Sequence, residues 1–127
     1  MEVKNMSTDI SNLPPHVQQR LLRLQQLQQT FQSIAAQKQQ VELELTELEQ
    51  ALTEVQKLEK DATIYKTIGS ILVKNDKDKI ITDLNERKEL LTMRVTVLGK
   101  QDERLRSQLK DLQTKLQEDL KMVSPTR

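Results

Sequence analysis

The stretch DATIYKTIGSILVKND, residues 61–76, decides the fold of this chain. It is rich in β-branched and aromatic residues, with Gly69 and Ser70 at its centre and Asn75 and Asp76 at its end. The chain on either side consists almost entirely of helix formers. This change in residue type predicts two short strands joined by a turn.

An isolated two-stranded hairpin is barely stable in water, and its outer backbone groups can pair with any neighbouring strand. Apolar residues occur at positions that point to both faces of the predicted hairpin. We therefore expect it to pair with hairpins from other subunits in a shared β platform. The predicted oligomerisation residues are Ile64, Tyr65, Ile68, Gly69, Ile71, Leu72 and Val73.

The composition favours a coiled coil over a globular core. Of the 127 residues, 35% are hydrophobic, 31% are charged and only 2% are aromatic, with two glycines. Short apolar spacings recur along both flanks of the hairpin, between Gln, Glu and Lys residues. Apolar side chains spaced three and four residues apart form one stripe on a helix, so burial is expected along a seam between two helices.

The seam pattern predicts the organisation of the whole chain. Residues 1–12 are expected to be a disordered extension, 13–60 the first coiled-coil helix, 61–76 the hairpin, 77–123 the second helix and 124–127 a tail. The fold class is mainly α: a long antiparallel two-helix coiled coil whose intervening hairpin joins an intersubunit β-barrel platform. The seam positions are Leu13, Val17, Arg20, Leu24, Leu27, Phe31, Ile34, Lys38, Val41, Leu45, Leu48, Leu52 and Val55 in the first helix, and Ile81, Leu84, Lys88, Leu91, Val95, Leu98, Asp102, Leu105, Leu109, Leu112, Leu116 and Asp119 in the second.

The charged interruptions of this seam predict its register. Two arms of equal length with a short connection must run antiparallel, so the numbers of facing residues should add up to about 136 to 140. Lys38 then lies near Asp102, and Arg20 near Asp119. Opposite charges in a seam cost stability but fix register. Lys88 has no such seam partner and is expected to extend its charge into water.

Several classes of function are disfavoured. The net charge is +1 and the charges are interspersed, which argues against nucleic acid. The chain has no cysteine and a single histidine, His16, and it lacks a phosphate-binding loop, so no metal site, cofactor or enzymatic activity is predicted. No apolar run is long enough for a membrane span, and the absence of an apolar leader favours the cytoplasm.

The free ends of the two arms have more apolar residues than one seam can cover. Surplus apolar surface on a soluble protein often marks a binding site, although fraying helix ends or packing against another copy would explain it equally well. Flexible Leu and Met side chains suit apolar partners of variable sequence, such as unfolded chains. The candidate residues at these tips are Leu13, Val17, Leu21, Leu22, Leu116, Leu120, Met122 and Val123.

The chain resembles a prefoldin beta subunit of the archaeal type over nearly its whole length. The resemblance rests on LPPHVQQ at the start of the first helix, on QKQQVELEL at residues 37–45 and above all on IYKTIGSILVKNDKDKIITDL at residues 64–84. It implies a hexamer of two alpha and four beta subunits, with hairpins joined in two β-barrels and arms that hang from this platform. It also implies an ATP-independent holdase that captures non-native client proteins at the arm tips and transfers them to a group II chaperonin.

The alternative from the sequence is a structural coiled-coil adaptor that binds one specific partner helix along its arms. Such an adaptor would explain the heptads but not the hairpin. Suppression of aggregation for several unrelated proteins would separate the two, because an adaptor should show none.

Overall fold

The computed structural model describes residues 12–123, apart from the side chain of Val123. In chain order the elements are helix α1 (Pro15–Gln56), strand β1 (Ile64–Ile68), strand β2 (Ile71–Asn75) and helix α2 (Lys77–Val123). The mainly α fold with one hairpin between two long helices is therefore confirmed. The predicted extension, except Asn12, and the predicted tail lie outside the described residues.

Helix α1 begins where two consecutive prolines predict a start. Pro15 occupies the first helical position, where its missing N–H costs nothing. The carbonyl of Pro14 accepts hydrogen bonds from the backbone N–H groups of Val17 and Gln18 at 3.0 and 3.1 Å. The side-chain amide of Gln18 also donates to the carbonyl of Leu13 at 2.8 Å, which ties the preceding residues to the first turn.

Helix α2 begins with an aspartate cap. A carboxylate oxygen of Asp76 accepts a hydrogen bond from the backbone N–H of Lys79 at 2.8 Å. Its carbonyl accepts another from Ile80 at 3.1 Å. Asp78 lies in the first turn, where a negative charge is favourable to the helix dipole. The prediction that Asn75 or Asp76 caps this helix is thus confirmed, with Asp76 as the cap.

Helix α1 ends at Gln56, four residues before the predicted end. The backbone changes there to tight turns, since the N–H of Lys57 donates to Glu54 at 3.2 Å and that of Leu58 to Val55 at 3.1 Å. Helix-forming residues continue through Lys60. Their propensity is overridden because the chain must turn toward the hairpin.

The described residues form two compact units, each with one segment of α1 and one of α2, and the second unit also contains the hairpin. The terminal unit comprises residues 12–35 and 100–123, and its buried side chains are Val17, Leu27, Asp102 and Leu116. The hairpin unit comprises Ala36–Gly99, and its buried side chains are Val41, Leu48, Leu52, Ile80, Leu91 and Leu98. Every seam position named from the sequence is buried or half-buried.

Candidate binding surfaces

The hairpin is a two-stranded antiparallel sheet with a two-residue turn. The register pairs Ile64 with Asn75 at the open end and Ile68 with Ile71 beside the turn. Gly69 has a φ of 59°, a conformation that L-amino acids rarely adopt. This is the geometry of a type II′ turn, whose first central position favours glycine and whose twist suits a hairpin. The local sequence thus fixes the register of the two strands.

Apolar side chains lie on both faces of this hairpin. Side chains alternate along a strand, so the register places Tyr65 and Leu72 on one face. The apolar side chains on the other face are Ile64, Ile68, Ile71 and Val73. Only the first residue of β1 and the last of β2 are half-buried, and all the others are exposed. Tyr65, Ile68, Ile71, Leu72 and Val73 are among the large exposed apolar side chains of the chain. A two-stranded sheet with this much apolar surface and two open edges is suited to pairing with further strands.

Two lysines make contacts near the base of the hairpin: Lys66 joins β1 to α2, and Lys77 joins the start of α2 to the end of α1 and the segment after it. The ammonium of Lys77 donates to the carbonyls of Gln56 at 3.1 Å and Leu58 at 2.6 Å. The ammonium of Lys66, on β1, lies 3.4 Å from a carboxylate oxygen of Asp83 on α2. These contacts lie within the hairpin unit. The sequence analysis did not predict these contacts, because a lysine that bonds to residues far along the chain produces no periodic pattern in the sequence.

The tip residues named from the sequence divide into buried and exposed groups. Val17 and Leu116 are buried in the seam of the terminal unit, and Leu13 and Leu21 are half-buried. Three others point into solvent, with exposed fractions of 60% for Leu22, 43% for Leu120 and 80% for Met122. The side chain of Val123 lies outside the described residues. A partner could therefore reach Leu22, Leu120 and Met122 directly, whereas the role of Val17 and Leu116 stays a prediction.

One of the two charge pairs named from the sequence is in contact. The Arg20 guanidinium donates to a carboxylate oxygen of Asp119 within the terminal unit. The Asp119 side chain is 14% exposed, so water screens this pair less than it screens a surface pair. The numbers of these two residues add up to 139, within the range expected for the register.

Asp102 pairs within its own helix. Its carboxylate accepts a hydrogen bond from the Nε of Arg106 at 2.8 Å, and it is buried. The Arg106 guanidinium in turn lies 5.1 Å from the ring centroid of Phe31 on the facing helix, where a cation is attracted to the aromatic face. Lys38 is half-buried. Its pairing with Asp102 stays a prediction.

Lys88 has a partner that the sequence argument did not find. Its ammonium lies 3.6 Å from a carboxylate oxygen of Glu49 on α1, a residue outside the seam, and the Lys88 side chain is 41% exposed, in line with a charge that extends into water. The predicted charge pairs joined seam positions only, and Glu49 lies beside the seam, next to Leu48. Flanking positions of a coiled coil commonly carry such interhelical pairs.

Other chemistry is not suggested by the described part of the chain. Among residues 12–123 there is no group of three His, Asp or Glu side chains placed to hold a metal ion. Within the same range, neither helix is apolar enough over a sufficient length to cross a membrane.

The comparisons with known proteins agree on one family. A family model described as "Prefoldin subunit" matches residues 18–122. The prefoldin subunit beta of Thermococcus kodakarensis is 42% identical over 112 residues, which cover 88% of this chain and 96% of the relative. The prefoldin subunit beta of Archaeoglobus fulgidus is 44% identical over 108 residues, which cover 85% of this chain and 93% of the relative.

Solved structures give the same result. The crystal structure of the prefoldin beta subunit from Thermococcus strain KS-1 has a TM-score of 0.79 at 43% identity, and the match covers 84% of this chain and 94% of that one. The prefoldin beta2 subunit from the same strain has a TM-score of 0.65 at 25% identity, covering 72% and 97%. The chain has two long helices that flank one hairpin, and its relatives match it over most of their own length and of its length. The chain therefore belongs to the prefoldin subunit family.

Proposed function

We propose that this chain is a beta-type subunit of a hexameric, ATP-independent chaperone that holds non-native proteins and transfers them to a group II chaperonin. In this proposal four copies assemble with two alpha subunits through their hairpins. The arm tips then capture client proteins. The observation that carries the proposal is the exposed, two-faced apolar hairpin in a chain of the prefoldin subunit family.

Assembly follows from the state of the hairpin in the single chain. Burying one exposed apolar side chain of this size contributes about 1.5 to 3 kcal/mol when burial is complete. Each hairpin offers several such side chains together with unpaired backbone groups at two edges. Strand pairing with the hairpins of neighbouring subunits would bury the apolar surface and satisfy those backbone groups at once. An alpha subunit with an equivalent hairpin is the partner that this surface fits.

Client capture is supported by the exposed residues of the terminal unit. Leu22, Leu120 and Met122 present apolar surface near the ends of both helices. Flexible side chains of this kind can repack against segments of different sequence, as capture of many unfolded proteins requires. Each contact is weak, but several arms that act on one client can raise avidity by about 10² to 10⁴.

Holding and release in this scheme involve no catalytic step. The sequence carries no phosphate-binding loop. In this proposal apolar contact sets the affinity for clients, and competition from the chaperonin causes their release. The proposal includes no cofactor, no nucleic acid and no membrane, and it places the complex in the cytoplasm. The chaperonin is proposed on family resemblance, and no residue of this chain is assigned to that contact.

The test is suppression of aggregation for several unrelated denatured proteins by this chain mixed with an alpha subunit, without nucleotide. Suppression of all of them at a stoichiometric amount of complex is the expected result. Binding of a single partner helix with no suppression would instead identify a structural adaptor and overturn the proposal. Delivery is tested separately, by the transfer of a labelled client to a purified group II chaperonin.

A further inference from the structure

Lys77 lies where its charge is unfavourable to its own helix. It is the first residue of α2, and the positive end of a helix dipole disfavours a cation there. The ammonium instead reaches the C-terminal end of α1, where it donates to the carbonyl of Gln56 and to that of Leu58, two residues beyond the helix. The position of this lysine is therefore explained by α1 and not by α2.

The end of α1 lacks a cation of its own. The last turn of this helix contains no basic residue. The carbonyls of Glu54 and Val55 accept hydrogen bonds from the backbone N–H groups of Lys57 and Leu58, and the carbonyl of Gln56 accepts one from Lys77. Carbonyl groups at a helix C-terminus carry partial negative charge and are stabilised by a nearby cation. Lys77 supplies that cation from the start of the next helix, across the whole hairpin. The two hydrogen bonds thus connect the two ends of the segment that contains the hairpin.

The hairpin depends on such contacts because packing holds it only at its base. Of its ten strand residues only Ile64 and Asn75 are half-buried, and the others are exposed. The Lys66–Asp83 pair adds a second connection, from β1 to the second turn of α2, but both side chains are well exposed to water. Exposed ion pairs contribute little on average. Lys77 makes two hydrogen bonds to backbone carbonyls, at 3.1 and 2.6 Å, against the single 3.4 Å contact of Lys66, so it is the stronger polar restraint at the base of the hairpin.

We propose that Lys77 is a positioning residue for assembly: by binding the end of α1 from the start of α2, it sets the direction in which the hairpin leaves the arms. This inference rests on the proposed role of the hairpin in assembly. A hairpin held in one direction loses less freedom on joining neighbouring strands, so association is tighter. Lys66 with Asp83 acts as the weaker second restraint.

The first test measures hairpin direction in the single chain, without any partner. The chain has no cysteine, so Ser70→Cys at the turn and Glu86→Cys on α2 create a unique pair of spin-label sites. Lys77→Met should roughly double the width of the distance distribution between the labels, because local order is lost when its polar restraint is removed. Lys79→Met is the matched control. It removes the same charge two residues later, and it should leave the width unchanged.

Lys77→Arg keeps a cationic donor at the same place and should retain the narrow distribution. A Lys77→Met distribution as narrow as that of the parent chain would overturn the inference. So would a Lys79→Met or Lys77→Arg distribution as broad as that of Lys77→Met. Circular dichroism of each variant checks that the helical content is unchanged, so that a broad distribution reports the hairpin and not unfolding.

The second test measures assembly. Lys77→Met should raise the dissociation constant for the alpha subunit about tenfold, and Lys79→Met should not. Ile71→Pro, which disrupts the hairpin itself, distinguishes the role of Lys77 from the role of the hairpin. If Ile71→Pro abolishes assembly while Lys77→Met has no effect, the role of Lys77 is overturned and the role of the hairpin stands. If neither substitution affects assembly, the proposed role of the hairpin falls as well.

Discussion

Substitution of Leu22 by serine tests client capture at the arm tips. Leu22 lies in α1 and is 60% exposed. Full burial of a leucine contributes about 1.5 to 3 kcal/mol, so covering its exposed part with a client would contribute roughly 1 to 2 kcal/mol. Loss of that contact corresponds to about a 5- to 30-fold weaker interaction per arm. The effect on the complex is larger where several arms hold one client, because weak contacts multiply.

Leu43 provides a matched control on the same helix. It is 55% exposed, close to the value for Leu22, but it belongs to the hairpin unit and not to the terminal unit. Leu43→Ser removes a similar apolar side chain at a similar cost to folding, which is small for exposed positions. Any difference between the two variants therefore reports position along the arm and not stability.

The assay titrates a fluorescently labelled unfolded protein with the assembled complex and follows its anisotropy. Leu22→Ser should raise the dissociation constant at least about fivefold, whereas Leu43→Ser should leave it near the value for the unsubstituted complex. Addition of Met122→Ser, at an 80% exposed position, should weaken binding further. Unchanged affinity in the Leu22→Ser, Met122→Ser double variant would refute the assignment of clients to the tips, as would an equal loss in Leu43→Ser.

Three further predictions concern assembly and stability. Ile71→Pro removes a backbone donor from β2 and should dissociate the complex with the alpha subunit, as measured by light scattering; an intact hexamer would contradict the role of the hairpin. Gly69→Ala places a side chain at a φ of 59° and should destabilise the hairpin by roughly 1 to 2 kcal/mol. The loss should appear as faster amide exchange in both strands, and unchanged exchange rates would show that alanine causes no strain in this turn. In a double-mutant cycle measured by urea unfolding, Arg20→Leu and Asp119→Leu should show a coupling free energy of about 1 kcal/mol. If the two losses of unfolding free energy simply add, the ion pair contributes nothing.

The seam and the hairpin could be predicted because both are written in local residue patterns. Spacings of three and four placed every seam position at a buried or half-buried site, and the change to β-branched residues around Gly69 located the strands. The cap on α2 followed from Asp76 in the same way. These features depend on short-range chemistry, in which each residue type has a strong preference of its own.

The parts that escaped prediction depend on contacts between distant residues. The end of α1 at Gln56 reflects the turn into the hairpin, although helix formers continue beyond it. Lys88 pairs with Glu49 because side chains beside the seam also meet across the helices. Val17 was predicted both as a seam position and as a tip residue for clients, and the structure buries it, whereas Leu22, outside the seam pattern, is exposed.

A second group of exposed apolar residues also went unnoticed in the sequence. Leu90, Met93 and Val97 are all more than half exposed and recur on α2 at spacings of three and four. The signal was present, but the stronger seam pattern through Leu91, Val95 and Leu98 accounted for the helix by itself.

The most direct test of the central claim is the solution mass of this chain alone and mixed with an alpha subunit, measured by light scattering at matched concentration. The account predicts that the mixture forms a particle whose mass fits four copies of this chain and two alpha subunits. A chain whose mass does not change when the alpha subunit is added would contradict assembly through the hairpin, and with it the proposed chaperone.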